Sequence, residues 1–326
     1  MKPKIVAVPT WIGALLGFGA CGGQVVVGGA KPSDGGSPEA ATTELDAASA
    51  TPADLGDASA PAGPTTPVRT DLLPIMPGQE ITACQTFSNP FGRDVDVVSI
   101  QVTTDAHDVF LFSLPPSGAP APSTGLVGCQ VDPLGTMPIL YFSDKAASGI
   151  TYPQPNMGYP LAAANSLMLR VHYVNAANAV LQAQTIASLG VAAPGMVTTH
   201  VGAIFLRADG FPVAAPFVQQ SFAMPLTDAF SIFLSWSFAS PTNATVRATA
   251  SGTALHDVTN RQTYSQLLSN DPPVMVGAGQ SIQWSCEYPS ADSAQSGNCV
   301  YQGFYYPADP TNPNVVVRYS SPTDGG

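Results

Sequence analysis

The chain has 326 residues, a net charge of −11 and only 11 basic residues. Nucleic acid and anionic lipid surfaces are bound through lysine and arginine contacts to phosphate, and the sequence contains no basic run that could supply them. We therefore do not expect nucleic acid or an anionic lipid surface to be a partner of this protein.

The N-terminus has the organisation of an export signal. Lys2 and Lys4 precede an uncharged run, Ile5–Ala20, which ends in small residues. This run is shorter than the ~20 residues that a membrane span needs. Its end, "FGAC", resembles a bacterial lipobox, in which the cysteine, here Cys21, is diacylated and becomes the new N-terminus. We predict a signal peptide over residues 1–20 and a lipid-anchored protein of the bacterial cell envelope, with plain secretion as the alternative.

Residues 21–70 form the next segment. From Gly22 to Thr70 there is no aromatic residue, and Ala, Pro, Gly, Ser, Thr and Asp predominate. Such a composition cannot bury enough apolar surface to offset the entropy lost on ordering. The segment is therefore predicted to be a disordered linker that spaces a folded body from a membrane.

The folded body, about residues 71–322, contains the other four cysteines, Cys84, Cys129, Cys286 and Cys299. An even number of cysteines in an exported chain indicates disulfides, although four allow three pairings. The simplest pairing joins Cys84 to Cys129 and Cys286 to Cys299, which gives one bridge to each of two domains.

Strand-like runs rich in β-branched and aromatic residues recur through the body, separated by many of the 32 prolines. They are "VDVVSIQV", "DVFLFSL", "PILYFS", "LMLRVHYV", "VGAIFLR", "FSIFLSWSF", "ATVRATASGTAL", "SIQWSCEY" and "VVVRY". The pattern predicts an all-β protein with two antiparallel jelly-roll or β-sandwich domains. A break over residues 176–195 divides the runs and predicts domains over residues 71–185 and 186–322.

Common catalytic signatures are absent from the sequence. There is no G-x-S-x-G nucleophile elbow and no glycine-rich phosphate loop between a strand and a helix. The chemistry-bearing candidates are the four histidines, His107, His172, His200 and His256. A lone histidine in a strand is more often a surface or core residue than a ligand, but neutral imidazole binds copper or zinc well.

The alternation of the strands places the first two histidines. It puts His107 on the face opposite Asp108, and it puts His172 on the face of Met168 and Arg170. If both histidines bind one ion with bonds of ~2.0 Å, their nitrogens must lie within about 4 Å of each other.

The body resembles the copper type II, ascorbate-dependent monooxygenases, the family of peptidylglycine α-hydroxylating monooxygenase and dopamine β-monooxygenase. The ordered matches, over about residues 72–320, are "AHDVFLF", "LRVHY", "GTALHDV", "CEY" and "SGNCVYQGFYY". The resemblance implies two jelly-roll domains, each holding one copper ion across a cleft. It implies C–H hydroxylation of a small organic substrate by dioxygen, with ascorbate as the reductant. It also implies the Cys84–Cys129 and Cys286–Cys299 pairings.

The metal ligands that the resemblance implies are only partly present. In the first copper site His107 and His172 match the family pattern, and Asp108 takes the place of a histidine. In the second site only His256 matches, because Ala254 and Asn298 stand where the family has a histidine and a methionine. The candidate metal ligands are therefore His107, Asp108, His172 and His256, with Asp108 requiring a β-bulge to join His107.

Three functions are compatible with this sequence. The first is a surface-tethered copper monooxygenase with altered ligation, and the second is a binding protein that holds a metal ion or another ligand without turnover. The third is an envelope protein with no site. A first site of two imidazoles and a carboxylate is a reasonable set for Cu(II) or Zn(II). A single imidazole beside an alanine cannot fix copper geometry at the second site.

Overall fold

A computed structural model of the protein describes residues 65–320, apart from 117–121, 124, 130–132, 134–136, 214–217, 242, 260–266 and 289–294. The expected signal peptide, Cys21 and most of the expected linker lie outside this part. The chain divides into two units, Met1–Ser49 and Ala50–Gly326, and the described residues all belong to the second.

The described residues form strands, turns and bends but no helix, which confirms the all-β prediction. Within this part of the chain, no helix has the length and apolarity needed to cross a membrane.

The first body is a β-sandwich built mainly from two sheets. In one, the strand order is β1-β12-β4-β9-β13, with β8 also paired to β4; in the other, it is β6-β3-β10-β5-β7. A small third sheet joins β11 to β2. The strands are β1 Thr65–Arg69, β2 Leu73–Ile75, β3 Glu80–Ser88, β4 Val95–Thr104, β5 Asp108–Leu114, β6 Val127–Gly128, β7 Ile139–Ser143, β8 Ala147–Thr151, β9 Met157–Leu161, β10 Ser166–Val174, β11 Leu181–Ala183, β12 Thr185–Val191 and β13 Thr199–His200.

The second body is also a β-sandwich. Its two sheets have the orders β19-β16-β21-β14-β22 and β15-β20-β17-β18, and a separate apolar core lies between them. In the second body all described strand pairs are antiparallel except β14 with β22. In the first body the exception is β13 with β9. The strands are β14 Gly202–Val213, β15 Val218–Pro225, β16 Phe230–Ser240, β17 Thr245–Ala250, β18 Thr253–Thr259, β19 Leu268–Val276, β20 Ser281–Tyr288, β21 Gln295–Tyr306 and β22 Asn314–Ser320.

The folded body begins earlier than the linker composition predicts. Strand β1 pairs with β12 along its whole length, Val68 is buried, and the Thr185 N–H donates to the Thr70 hydroxyl (2.9 Å). Backbone pairing to a strand more than 100 positions away needs no apolar composition, so a composition rule assigns these residues to the linker. Pro67 is tolerated because β1 is an edge strand.

The change from the first body to the second also falls later than the predicted boundary at residue 185. Strand β12 pairs with β4 in the first body, and β13 pairs with β9 there. The sheets of the second body start only with β14 at Gly202. The "ANAVLQAQTIASLG" stretch reads as a break because polar and small residues fill it, yet most of it is paired strand.

The two disulfides join Cys84 to Cys129 and Cys286 to Cys299, one in each body. This is the simplest of the three pairings that the sequence allows. The second bridge lies wholly within an apolar core, since Cys286 and Cys299 are both fully buried.

The two bodies share a buried contact that covers a sheet edge. Trp236 and Gln302 are cross-strand partners on β16 and β21, and both are fully buried. The Trp236 ring meets Phe110 of β5 edge-on, with centroids 6.0 Å apart. The Gln302 amide donates to the Ile139 carbonyl oxygen (2.8 Å) and accepts from the Ile139 N–H (2.9 Å). Among the described strands, β7 pairs only with β5, so this side chain satisfies backbone groups on its other edge.

Replacing Gln302 by alanine removes both of these hydrogen bonds and leaves buried backbone groups of Ile139 without them. We expect a loss of roughly 2–4 kcal/mol in the free energy of unfolding, measured by urea denaturation. The control is Gln101→Ala, because Gln101 is exposed on β4. An equal, small effect of both substitutions would show that the Gln302 contact contributes nothing to stability.

Candidate metal centre

Three adjacent strands place polar side chains in a row on one face of a sheet. His172 of β10 lies directly opposite Asp108 of β5 on one side and Thr82 of β3 on the other. Glu80 lies two residues before Thr82 on β3, so it is the diagonal neighbour of His172 on the same face. The strand order β3-β10-β5 therefore brings together residues separated by 92 positions in the chain.

Asp108 is the buried end of this row, with a side chain only 1% exposed. Its Oδ1 accepts from the Arg170 guanidinium (3.2 Å), and its Oδ2 lies 2.9 Å from His172 Nδ1. Arg170 is held in turn over the Phe110 ring, 5.3 Å from its centroid. The carboxylate is thus shared between a guanidinium on one oxygen and an imidazole on the other.

His107 joins the row without the β-bulge that a continuous strand would require. It precedes β5, in a bend, and its N–H donates to the His172 carbonyl oxygen (2.7 Å). The alternation rule applies only inside a strand, so His107 and Asp108 are not forced onto opposite faces. The His107 Nδ1 lies 3.6 Å from Asp108 Oδ2, and its side chain is 51% exposed.

His107, Asp108 and His172 together have the donor geometry of a candidate metal centre. One ligand atom from each lies within 4.8 Å of the other two. A tetrahedral ion with bonds of ~2.0–2.2 Å needs its ligand atoms roughly 3.5 Å apart. The distance from His107 Nδ1 to Asp108 Oδ2, 3.6 Å, is close to this value, and the distance from His172 Nδ1 to Asp108 Oδ2, 2.9 Å, is shorter.

His256, the candidate ligand of a second copper site, has the environment of a core histidine. Its Nδ1 lies 2.9 Å from the Ser235 hydroxyl, which itself donates to the Leu255 carbonyl oxygen, and its Nε2 lies 2.9 Å from the Ser237 hydroxyl. The two serines thus engage both nitrogens, with the proton on Nδ1. Burial lowers the pKa of this imidazole to about 3. Among the described residues, His256 belongs to no group of three histidine, cysteine, aspartate or glutamate side chains that could hold a metal ion.

His256 of β18 packs against the face of the neighbouring β16 sheet that points away from the first body. Ser235 and Ser237 flank Trp236 on β16, so they project from the face opposite that of Trp236. Trp236 contacts Phe110 of the first body, whereas His256 contacts Tyr301 inside the second core. The sheet therefore separates His256 from the His107 cluster.

The remaining residues considered from the sequence lie apart from the cluster. Ala254 is exposed on β18 opposite Thr249, and Asn298 lies on β21 next to the buried Cys299. His200, on β13, pairs with Asp96 (3.2 Å) at the surface.

Two members of the row, Arg170 and Glu80, are not candidate ligands in the sequence. Arg170 could have been found, since an arginine two residues before His172 in an apolar strand is unusual and must have a partner. Glu80 carries no such signal, because an exposed glutamate at a strand start is ordinary.

No known protein-family model and no curated protein matches the chain. Among solved structures it is similar to the major capsid protein P2 of bacteriophage PM2, at 8% identity and a TM-score of 0.31, over 74% of this chain and 97% of that one. It is also similar to a conserved protein of unknown function from Pseudomonas aeruginosa (9% identity, TM-score 0.18, 68% of this chain and 76% of that chain). A third similarity is to the VP2 subviral particle of infectious bursal disease virus (8% identity, TM-score 0.20, 80% and 76%). Likenesses this distant carry no argument on function.

The lowered pKa of His256 makes stability depend on pH. An unfolded histidine, with a pKa of about 6.5, gains a proton on acidification that the folded protein does not bind until about pH 3. Stability therefore falls as pH drops below 6.5, by roughly 2–3 kcal/mol between pH 7 and pH 4.5. His256→Gln removes this contribution, while all carboxylate contributions stay the same. Urea unfolding of both proteins at the two pH values tests it, and parallel pH profiles would contradict it.

Proposed function

We propose that this protein binds one divalent transition-metal ion, Cu(II) or Zn(II), at His107, Asp108 and His172. The observation that supports the proposal is the convergence of these three side chains on one sheet face, with donor atoms within 4.8 Å of one another. Two imidazoles and one carboxylate form a common ligand set for these ions. The His107 side chain is half exposed, so solvent reaches the cluster on the His107 side.

The ion pair between Asp108 and Arg170 makes the site better suited to a transition metal than to calcium or magnesium. Because Arg170 occupies Oδ1, the carboxylate offers the ion mainly Oδ2. Calcium takes six to eight oxygen ligands, and magnesium takes six in a strict octahedron. A site with one carboxylate oxygen and two imidazole nitrogens suits neither hard cation.

A signal peptide over residues 1–20 and a lipidated Cys21 belong to this proposal. They would place the metal centre at the bacterial cell envelope, tethered to a membrane by a linker that ends where β1 begins. Two disulfides fit such an oxidising location, because bridges of this kind persist outside the cytosol.

Metal titration of the purified chain tests the site. We expect one Zn(II) or Cu(II) per chain, little retention of Ca(II) or Mg(II), and an affinity at least about tenfold lower in His172→Ala, because a ligand is lost. His200→Ala is the matched control, since His200 lies outside the cluster. Retention of no metal after desalting, or identical isotherms for the wild type and His172→Ala, would overturn the proposal.

A second candidate is a copper oxidoreductase of the ascorbate-dependent monooxygenase type. It is favoured by one observation: the residues at the first-site positions of that resemblance meet in space. The hydroxylation would convert a C–H bond, dioxygen and two electrons from ascorbate, with two protons, to an alcohol and water. The environment of His256 offers no comparable second centre among the described residues, so we favour binding without turnover.

Oxygen consumption separates the two candidates. For a single-site binding protein we expect one copper per chain and no more ascorbate-dependent oxygen uptake than the same amount of free copper produces. Two bound coppers with oxygen uptake that is abolished by His256→Gln would instead establish the oxidoreductase.

A further inference from the structure

We infer that Glu80 is a positioning residue for the metal centre, holding His172 so that its Nδ1 faces the ion. This inference rests on the proposed metal-binding function. Glu80 Oε1 lies 2.8 Å from His172 Nε2, and the opposite nitrogen, Nδ1, lies 2.9 Å from Asp108 Oδ2. The imidazole is therefore held between two carboxylates, one on each ring nitrogen.

The two carboxylates have different roles because their surroundings differ. Asp108 is buried, adjoins His107 and belongs to the group of converging donor atoms. Glu80 is 68% exposed and lies on the outer side of the ring, beyond the donor set. An ion bound by His107, Asp108 and His172 would be held by Nδ1 of His172, while the N–H at Nε2 would donate to Glu80.

A carboxylate on the outer nitrogen of a metal-binding histidine changes the ligand in two ways. It fixes the tautomer and the ring orientation, and it makes the coordinating nitrogen a stronger donor. It also adds negative charge near the ion, which this centre needs, since Arg170 offsets the charge of Asp108. Both effects act through His172, so Glu80 does not itself contact the metal.

Zinc titration of the full chain with two Glu80 variants tests this role. Loss of an outer partner of a ligand typically weakens metal binding by 10- to 100-fold, and for an exposed carboxylate we expect about tenfold in Glu80→Ala. Glu80→Gln should recover part of the affinity, because its amide oxygen still accepts the Nε2 proton. Glu287→Ala is the matched control: Glu287 pairs with Arg247 in the second body, outside the donor set.

Long-range ¹H–¹⁵N correlation spectra of the zinc-loaded protein identify which nitrogen of His172 binds zinc. The signals of His172 are assigned by their loss in His172→Gln. We expect zinc on Nδ1 and a proton on Nε2 of His172 in the wild type, and loss of this single tautomer in Glu80→Ala. Zinc on Nε2, or an affinity of Glu80→Ala within twofold of the wild type, would overturn the role of Glu80. If the wild type binds zinc and His172→Ala does not, a negative result for Glu80 overturns only this inference and leaves the proposed metal site standing. If the wild type binds no zinc, the proposed function itself fails.

Discussion

The buried carboxylate of Asp108 is the constraint around which the candidate site is organised. A charge removed from water must be compensated by opposite charge and hydrogen bonds, since its desolvation otherwise costs several kcal/mol. Arg170 and His172, two residues apart on the neighbouring strand, supply this compensation from one sheet face. Arg170 is itself buried and lies over Phe110, so the network is fixed by the packing of the core. The same geometry that satisfies Asp108 leaves one of its oxygens between two imidazoles.

The packing of the two bodies decides which chemistry this scaffold can support. The face of β5 that carries Asp108 also carries Phe110, and Phe110 meets Trp236 of the second body. Trp236 and its cross-strand partner Gln302 are buried at this contact, and every residue of β5 is buried as well. His256 projects into the second core from behind the same sheet, where the hydroxyls of Ser235 and Ser237 engage it. In the part of the chain that the structure describes, the donor groups that converge are those of His107, Asp108 and His172, and His256 is not one of them.

Much of the fold follows from local patterns in the sequence. Alternating β-branched and aromatic runs predict the strands because a pleated strand repeats every two residues. The bounds of the first body were harder to predict, since β1 and β12 are polar or small in composition and are stabilised by backbone pairing with distant strands. The relation of His107 to Asp108 was also missed, because alternation was extended one residue beyond the start of β5.

The sequence by itself determined the all-β class, a disulfide framework and a short list of candidate metal ligands. These depend on residue type and on spacing along a single strand. Only the tertiary structure decided which side chains meet: strand order brought Glu80, His172 and Asp108 into one row, and sheet packing put His256 in a core. The physical reason is that register and sheet order arise from the packing of the whole core, and contacts between residues far apart in the chain leave no local pattern.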